Sequence, residues 1–532
     1  MIYASWRLLC RVEVMKKKFL HIGRRFMQLV LSSLLGALVV IIILAVVELN
    51  SRPDLSVWHK TVLDEEFRAD SDARDFGQYL ELEDRLFGQL DRLIYDEVGA
   101  KDQRAINRYF RGSLSDPGRW PVNWNRSFVL PAEQPSIGVL LLHGMSDSPY
   151  SLRSIGQFLH DKGAYVIGLR VPGHGQAPSG LLDTDWQDMA AAVRLAMTEL
   201  EARSAGKPLY IVGYSNGAAL AVHYTLDSLS NGSLTVVDGL VLLSPEIGIS
   251  KMAALAKWQE HLGHLLGLEK LAWNSILPEY DPWKYGSFAL NAGKQAYLIT
   301  REIQRQITAL AKAGKLDHMP PILAFQSVVD STVTAPALVN NLFERLPPFV
   351  SKPGKTGPMH HELVLFDINR WAEIEPILKE NPSAWIEPML NSNNPNFMLT
   401  LMSNKSREDK HVVAFTRLSG SPEVKMCDSG LSWPNDVYSL SHVALPMPPD
   451  DPVYGGDEAG PSPGIELGNI ALRGEKGTLQ VPASDMLRLR YNPFHSYLEH
   501  RVLVFTGLKP DPESHCLSPA SVSRILQSAG RP

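Results

Sequence analysis

The chain predicts a doubly wound α/β fold with a mostly parallel sheet. Three observations carry that prediction. Runs such as "IGVLLLHG", "PLYIV" and "DGLVLLSP" are apolar throughout and of strand length, as buried parallel strands require. Amphipathic segments of helical period separate these runs. Between one strand-like run and the helical "AALAVHYTL" stands the pentapeptide Gly213-Tyr214-Ser215-Asn216-Gly217.

The 532 residues are 45% hydrophobic and 20% charged. That is a globular composition with ample material for a core. The net charge of −5, with no long basic run beyond the N-terminus, gives no reason to expect nucleic-acid binding.

Residues 1–25 form a basic segment with Arg7, Arg11, Lys16, Lys17, Lys18, Arg24 and Arg25. Residues 26–47 follow without a charge, long enough as a helix to cross roughly 30 Å of hydrocarbon. The positive-inside rule predicts a single-pass anchor with the N-terminus cytoplasmic and the remainder periplasmic or extracellular. A cleaved signal peptide is the rival reading, but its apolar core would be shorter and end in a small-x-small site.

Residues 48–125 are predicted as a helical stalk or a flank packed on the main domain, with Leu82, Leu86, Leu90, Leu93 and Ile94 on one helical face. The main domain is expected over 126–532. "RSFVL", "IGVLLLHG", "AYVIGLR", "PLYIVGYS", "DGLVLLSP", "PPILAFQSVVD" and "HELVLFDIN" are its predicted strands. "SLRSIGQFLHDKG", "WQDMAAAVRLAMTELEARSAG", "NGAALAVHYTLDSL" and "APALVNNLFERL" are predicted helices. Two stretches break the rhythm: 251–318, read as a helical cap insertion, and 371–417, read as an irregular second insertion. Leu445–Gly464 reads as a solvated Pro/Gly/Asp loop. Cys427 and Cys516 stand on the exported side, where a disulfide can persist; free thiols are the alternative.

A serine hydroxyl is a weak nucleophile unless a base, a group orienting that base and oxyanion donors surround it. The Gly-x-Ser-x-Gly turn between strand and helix is the geometry that presents Ser215. The backbone N–H of Asn216 supplies one oxyanion donor. A second, Met145, follows the strand that ends at His143-Gly144. His143, at the end of a buried strand, is read as bracing that loop.

"HGMSDSP", "PGHG" at Pro172–Gly175 and "GYSNG", in this order, resemble the α/β-hydrolase superfamily, and most nearly its serine esterases and monoacylglycerol-lipase-like members. The resemblance covers about residues 126–454, interrupted by the insertions. It implies the α/β-hydrolase fold and a nucleophile–acid–histidine order. Asp330, ending "ILAFQSVVD", resembles the family's acid; Asp367 is the main rival, and Asp317 precedes the strand. His442, in "SLSHVALPM", resembles the family's histidine, with His360, His361, His411, His495, His500 and His515 as the other candidates. The long gap from Asp330 to His442 requires residues 371–417 to loop out.

Several other chemistries are excluded. "PGKTG" lacks the glycine a phosphate loop needs at Phe349. "GHGQAP" has Pro178 where a dinucleotide fingerprint has glycine, and no H-E-x-x-H is present. Ser215 argues against the aspartate nucleophile of dehalogenases. The expectation is a membrane-anchored serine hydrolase of carboxylic, acyl-lipid-type esters, needing no cofactor. An acyltransferase, a peptidase or a non-enzymatic scaffold on the same fold are the alternatives.

Overall fold

The computed structural model describes residues 2–248, 269–348, 360–391, 396–421, 423–468, 480–482 and 486–508. The chain forms two compact units, Met1–Asp54 and Leu55–Pro532.

The first unit is one helix, α1 (Ile2–Ser51). An 18-residue window of its stretch Gly23–Ser51 has a mean hydropathy of 3.1, and the stretch is long and apolar enough to cross a membrane. Phe26, Leu34 and Ile41 on it are exposed.

The second unit is built on a 10-stranded sheet. Its strands are β1 (Phe128–Leu130), β2 (Ile137–Leu142), β3 (Ala164–Leu169), β4 (Leu209–Tyr214), β5 (Gly239–Leu243), β8 (Ile322–Ser327), β9 (Glu362–Phe366), β10 (Met398–Asn404), β11 (His411–Arg417) and β12 (Val424–Ser432). A separate antiparallel pair joins β6 (Trp273–Ser275) to β7 (Phe288–Ala289). The large sheet runs in the order β1-β3-β2-β4-β5-β8-β9-β10-β11-β12. From β3 to β10 all neighbours are parallel; β1, β11 and β12 are antiparallel additions. Strands β2, β3, β4, β5 and β8 are buried along their whole length, which is why their sequences do not alternate.

Among the described residues the helices of this unit are α2 (Val57–Lys60), α3 (Phe76–Leu90), α4 (Tyr150–Asp161), α5 (Trp186–Arg203), α6 (Asn216–Ser230), α7 (Leu290–Lys312), α8 (Ala335–Asn341), α9 (Ser383–Leu390) and α10 (His495–Thr506). The two sheet faces hold separate cores. Leu140 and Leu142 pack with residues of α5, α6, α7 and α8. Ile137, Val139 and Leu141 pack with residues of α4 and α10. This is the period-2 alternation of a strand, with helices on both faces.

Residues 55–125 belong to this second unit. The buried face of α3 is Phe76, Tyr79, Glu83, Leu86, Phe87 and Leu90; Leu86 and Leu90 of the expected stripe lie on it, and Leu82 packs against it partly buried. A π-helical turn over Asp91–Tyr95 follows, in which Ile94 is buried while Leu93 is exposed. Glu83 is buried because it meets a cation. It and Glu66 both pair with Arg170 (2.8 and 2.9 Å), and Glu66 also accepts from the N–H of Gly173 (2.7 Å). Burial alone would raise the Glu66 carboxyl; Arg170 outweighs it and holds it below the usual range. The flank thus clamps the "PGHG" loop.

Three expectations are corrected. The stretch 251–318 is not a cap throughout: α7 buries Ile299, Ile303 and Ile307 in the main core, as a sheet-covering helix. Residues 251–268 lie outside the described residues. The stretch 371–417 is not an irregular insertion, because β10 and β11 extend the sheet. Its Pro- and Asn-rich first half is followed by two runs of strand composition, Met398–Asn404 and His411–Arg417. The Leu445–Gly464 loop is not merely solvated: Met447, Val453 and Tyr454 are buried with Tyr150 and Trp283. Cys427 is buried on β12 and disulfide-bonded, and Cys516 lies outside the described residues.

Candidate active site

After β2 the chain moves to β3 on one side, and β4 then returns to the other side of β2. At such a switch point the loops leaving neighbouring strands diverge and open a crevice at their C-terminal ends. The loop after β2 carries Gly144 and Met145, and the turn after β4 carries Ser215.

Ser215 lies between β4 and α6 with φ 54° and ψ −117°. A non-glycine residue in that region is strained and persists only where its surroundings hold it. Its N–H donates to Leu243 O (2.9 Å), and its carbonyl accepts from the N–H of Glu246 (3.1 Å) and of Ala218 (3.0 Å). The flanking glycines are steric necessities. A Cβ on Gly217 would lie 2.0 Å from Leu142 O, and one on Gly213 would lie 2.6 Å from Ala218 Cα. Strand, turn and helix can approach this closely only without those side chains.

His442 opens a short 3-10 turn (His442–Ala444) after β12. Its Nε2 is 3.0 Å from Ser215 Oγ, and its Nδ1 is 2.7 Å from Asp330 Oδ2. With the ring proton on Nδ1, donated to Asp330, Nε2 can accept the serine proton. Tyr214 packs against the same ring, 5.4 Å between centroids, and its hydroxyl donates to His442 O (3.3 Å).

Asp330 follows β8. Its Oδ1 accepts from the N–H of Thr332 (2.8 Å) and Val333 (3.0 Å), and Gln326 Nε2 donates to Oδ2 (2.9 Å). Burial pushes the Asp330 carboxyl up; the facing His442 and the two backbone donors outweigh it and hold it below its ordinary range. An ionised acid is thereby aimed at the histidine. Asp367, the rival acid, is taken by Arg370 (2.9 and 3.0 Å) and Ser403 (2.7 Å).

Asn216 is the first residue of α6, beside Ser215. Met145 follows Gly144, and a Cβ on Gly144 would lie 3.2 Å from Ser215 Cβ. His143 is buried, with Nε2 accepting from the N–H of Val171 (3.0 Å) and Nδ1 against Gly144 O (2.9 Å). Burial lowers its pKa to about 3, so it is a neutral brace for the Gly144–Met145 loop.

Two residues escape a reading of the sequence alone. Gln326 is a fully buried amide that bridges Asp330 and Val333 O (2.9 Å). Its signal is a polar residue inside the apolar run "ILAFQS". Glu246, immediately after "DGLVLLSP", has an Oε2 that is buried without a hydrogen-bond partner. Burial first, and then Asp330, push its carboxyl up to about 8. No cluster of His, Cys, Asp and Glu suited to a metal ion occurs among the described residues.

A family model described as serine aminopeptidase, S33, matches residues 133–347. A thermostable monoacylglycerol lipase of Bacillus sp. is 30% identical over 93 residues, 17% of this chain and 36% of that protein. An uncharacterized abhydrolase domain-containing protein of Dictyostelium discoideum is 24% identical over 247 residues, 44% of this chain and 25% of that protein. The chain therefore spans only about a quarter to a third of these relatives' lengths. Among solved structures, a monoacylglycerol lipase of Paleococcus ferrophilus matches 45% of this chain and 88% of its own at 19% identity, with a TM-score of 0.32. Residues 133–347 thus match this hydrolase family, and the strand order and serine turn are those of the α/β-hydrolase fold.

Proposed function

We propose that this protein is a membrane-anchored serine hydrolase that cleaves carboxylic esters, of acyl-lipid type, through Ser215, His442 and Asp330. The observation that supports it most is the hydrogen-bonded line from Ser215 Oγ through His442 to Asp330, anchored on a strained serine. In this reading His442 Nε2 removes the Ser215 proton as Oγ attacks the ester carbonyl. The N–H groups of Met145 and Asn216 hold the oxyanion. Collapse of the tetrahedral intermediate expels the alcohol, which takes its proton from His442. Water, deprotonated by the same nitrogen, then attacks the acyl-Ser215 ester and releases the acid. One water and one ester yield one acid and one alcohol. Asp330 orients the imidazole and stabilises its charged form.

The apolar stretch Gly23–Ser51 supports an anchor that would hold the enzyme at a bilayer, with its N-terminus cytoplasmic by the basic residues of 1–25. The family match described as a serine aminopeptidase favours one second reading, a peptidase on the same triad. A fluorophosphonate probe and a series of p-nitrophenyl acyl esters test the proposal, with aminoacyl-p-nitroanilides as the peptidase arm. Labelling and ester turnover that vanish in Ser215→Ala are expected. Intact labelling with amide turnover alone would favour the peptidase. No labelling of the folded protein would overturn both readings.

A further inference from the structure

A cavity of about 170 Å³ opens among Ser146, Tyr280, Asp281, Lys284, Val443, Arg488 and other residues. Ser146 and Val443 are the chain neighbours of Met145 and His442, so the cavity adjoins the site. Polar and apolar atoms share its lining about equally; Leu277 and Val443 are its only aliphatic residues, so the wall is built mainly of aromatic and charged side chains rather than the aliphatic ones an acyl chain would call for. At roughly 30 Å³ per water, its volume suits a small polar group of five or six water equivalents.

The lining is rich in donors. Lys284, Arg488 and Arg490 bring three cations, and Tyr280, Tyr285 and Tyr454 bring three phenols. Among the described lining residues Asp281 is the one carboxylate, and its Oδ1 is already occupied by the Tyr454 hydroxyl (2.6 Å) and the N–H groups of Trp283 (2.9 Å) and Lys284 (3.1 Å). Lys284 lies over the rings of Tyr214 and Tyr454, its Nζ 5.6 and 5.3 Å from their centroids. It thus bridges the nucleophile's neighbour and the cavity, and its nearest carboxylate contact, Asp147, stands at 3.7 Å. Arg490 is buried and its guanidinium is 3.4 Å from the Tyr280 hydroxyl. A ligand group matched to such a wall must be rich in acceptors and negative.

Chemistry decides which half of the ester enters. The leaving alcohol is protonated by His442 Nε2, and Val443 places the cavity on the histidine side. We infer that this cavity is an anion subsite for the alcohol portion of the substrate, taking a phosphate or carboxylate carried by the leaving alcohol. The inference rests on the serine-hydrolase reading above and names its substrate class.

The test compares kcat/KM for 1-butyryl-glycerol 3-phosphate, neutral 1-butyrylglycerol and methyl hydrogen succinate, whose charge is on the acyl side. The full chain is used, with fluorophosphonate labelling in parallel. The phosphate ester is expected to exceed the neutral one by about tenfold or more, as one to two charge-assisted hydrogen bonds would give. In Lys284→Met and Arg490→Gln that ratio falls toward one, and inorganic phosphate competes with the phosphate ester in the unaltered protein. Labelling with a ratio within twofold, a ratio unmoved by both variants, or an equal preference for the succinate would overturn the subsite and leave the hydrolase standing. If a variant fails to label, the wild-type ratio and the phosphate competition decide. No labelling of the wild type would take down both.

Discussion

Near Ser215 the carboxyl of Glu246 stands in a site that favours its neutral form, at a pKa of about 8. A carboxyl whose pKa is raised on folding binds its proton more tightly in the native state. The native protein therefore loses stability as pH rises from the unfolded value near 4.5 to about 8, where the effect levels off. The full effect is on the order of a few kcal/mol. Glu246→Gln should match the wild type in melting temperature near pH 4 and exceed it near pH 8; parallel melting curves at both pH values would rule out this account. Asp330 runs the other way, since its pKa is lowered. Asp330→Asn should leave the fold intact yet reduce kcat on esters by about 10³- to 10⁴-fold, because an amide can hold the ring in the wrong tautomer. Gln326→Leu removes a donor from that carboxylate and leaves Val333 O unpaired, at a cost of about 1–3 kcal/mol in urea unfolding.

At the scale of elements, the serine turn depends on how closely α6 approaches the end of β2. Gly217→Ala would drive a Cβ into Leu142 O, so the helix must move away. Overpacking of that kind costs about 1–3 kcal/mol. It should also abolish fluorophosphonate labelling even where circular dichroism shows the helices retained; undiminished labelling would contradict the packing argument. The parallel core was legible in the sequence because strands buried on both faces leave unbroken apolar runs. Ser215, Asp330 and His442 were legible as candidates because each follows its own element in the order the resemblance implies. The strands β10 to β12 were not, since local pattern cannot say which sheet edge a short run joins. Leu93 was misplaced because a π-helical turn shifts the helical period by one residue. Lys284 and Glu246 lie far in sequence from the groups they meet, so nothing local marked them.

At the scale of the whole molecule, the unit Leu55–Pro532 holds the sheet, both of its cores and the three site side chains. Removal of residues 1–54 should therefore yield a soluble protein that still labels at Ser215. The full chain should sediment with membranes and resist extraction by high salt. A truncated chain that remains membrane-bound would place the membrane affinity in the second unit instead. The sheet's own margins are covered differently: β1 is short, and β12 carries Lys425 and pairs with β11 through a register shift at Val412/Val413. Short or irregular charged edges of this kind discourage pairing between copies.

The extension of the sheet by β10, β11 and β12 has a consequence for the order of events in folding. It leaves Asp330 and His442 separated by 112 positions in sequence, and Ser215 and His442 by 227. Contacts so distant along the chain are entropically expensive to close and tend to form late. On refolding from denaturant, recovery of fluorophosphonate reactivity should lag behind recovery of helical signal. The reactive serine would then serve as a chemical clock for the last step by which the meander docks.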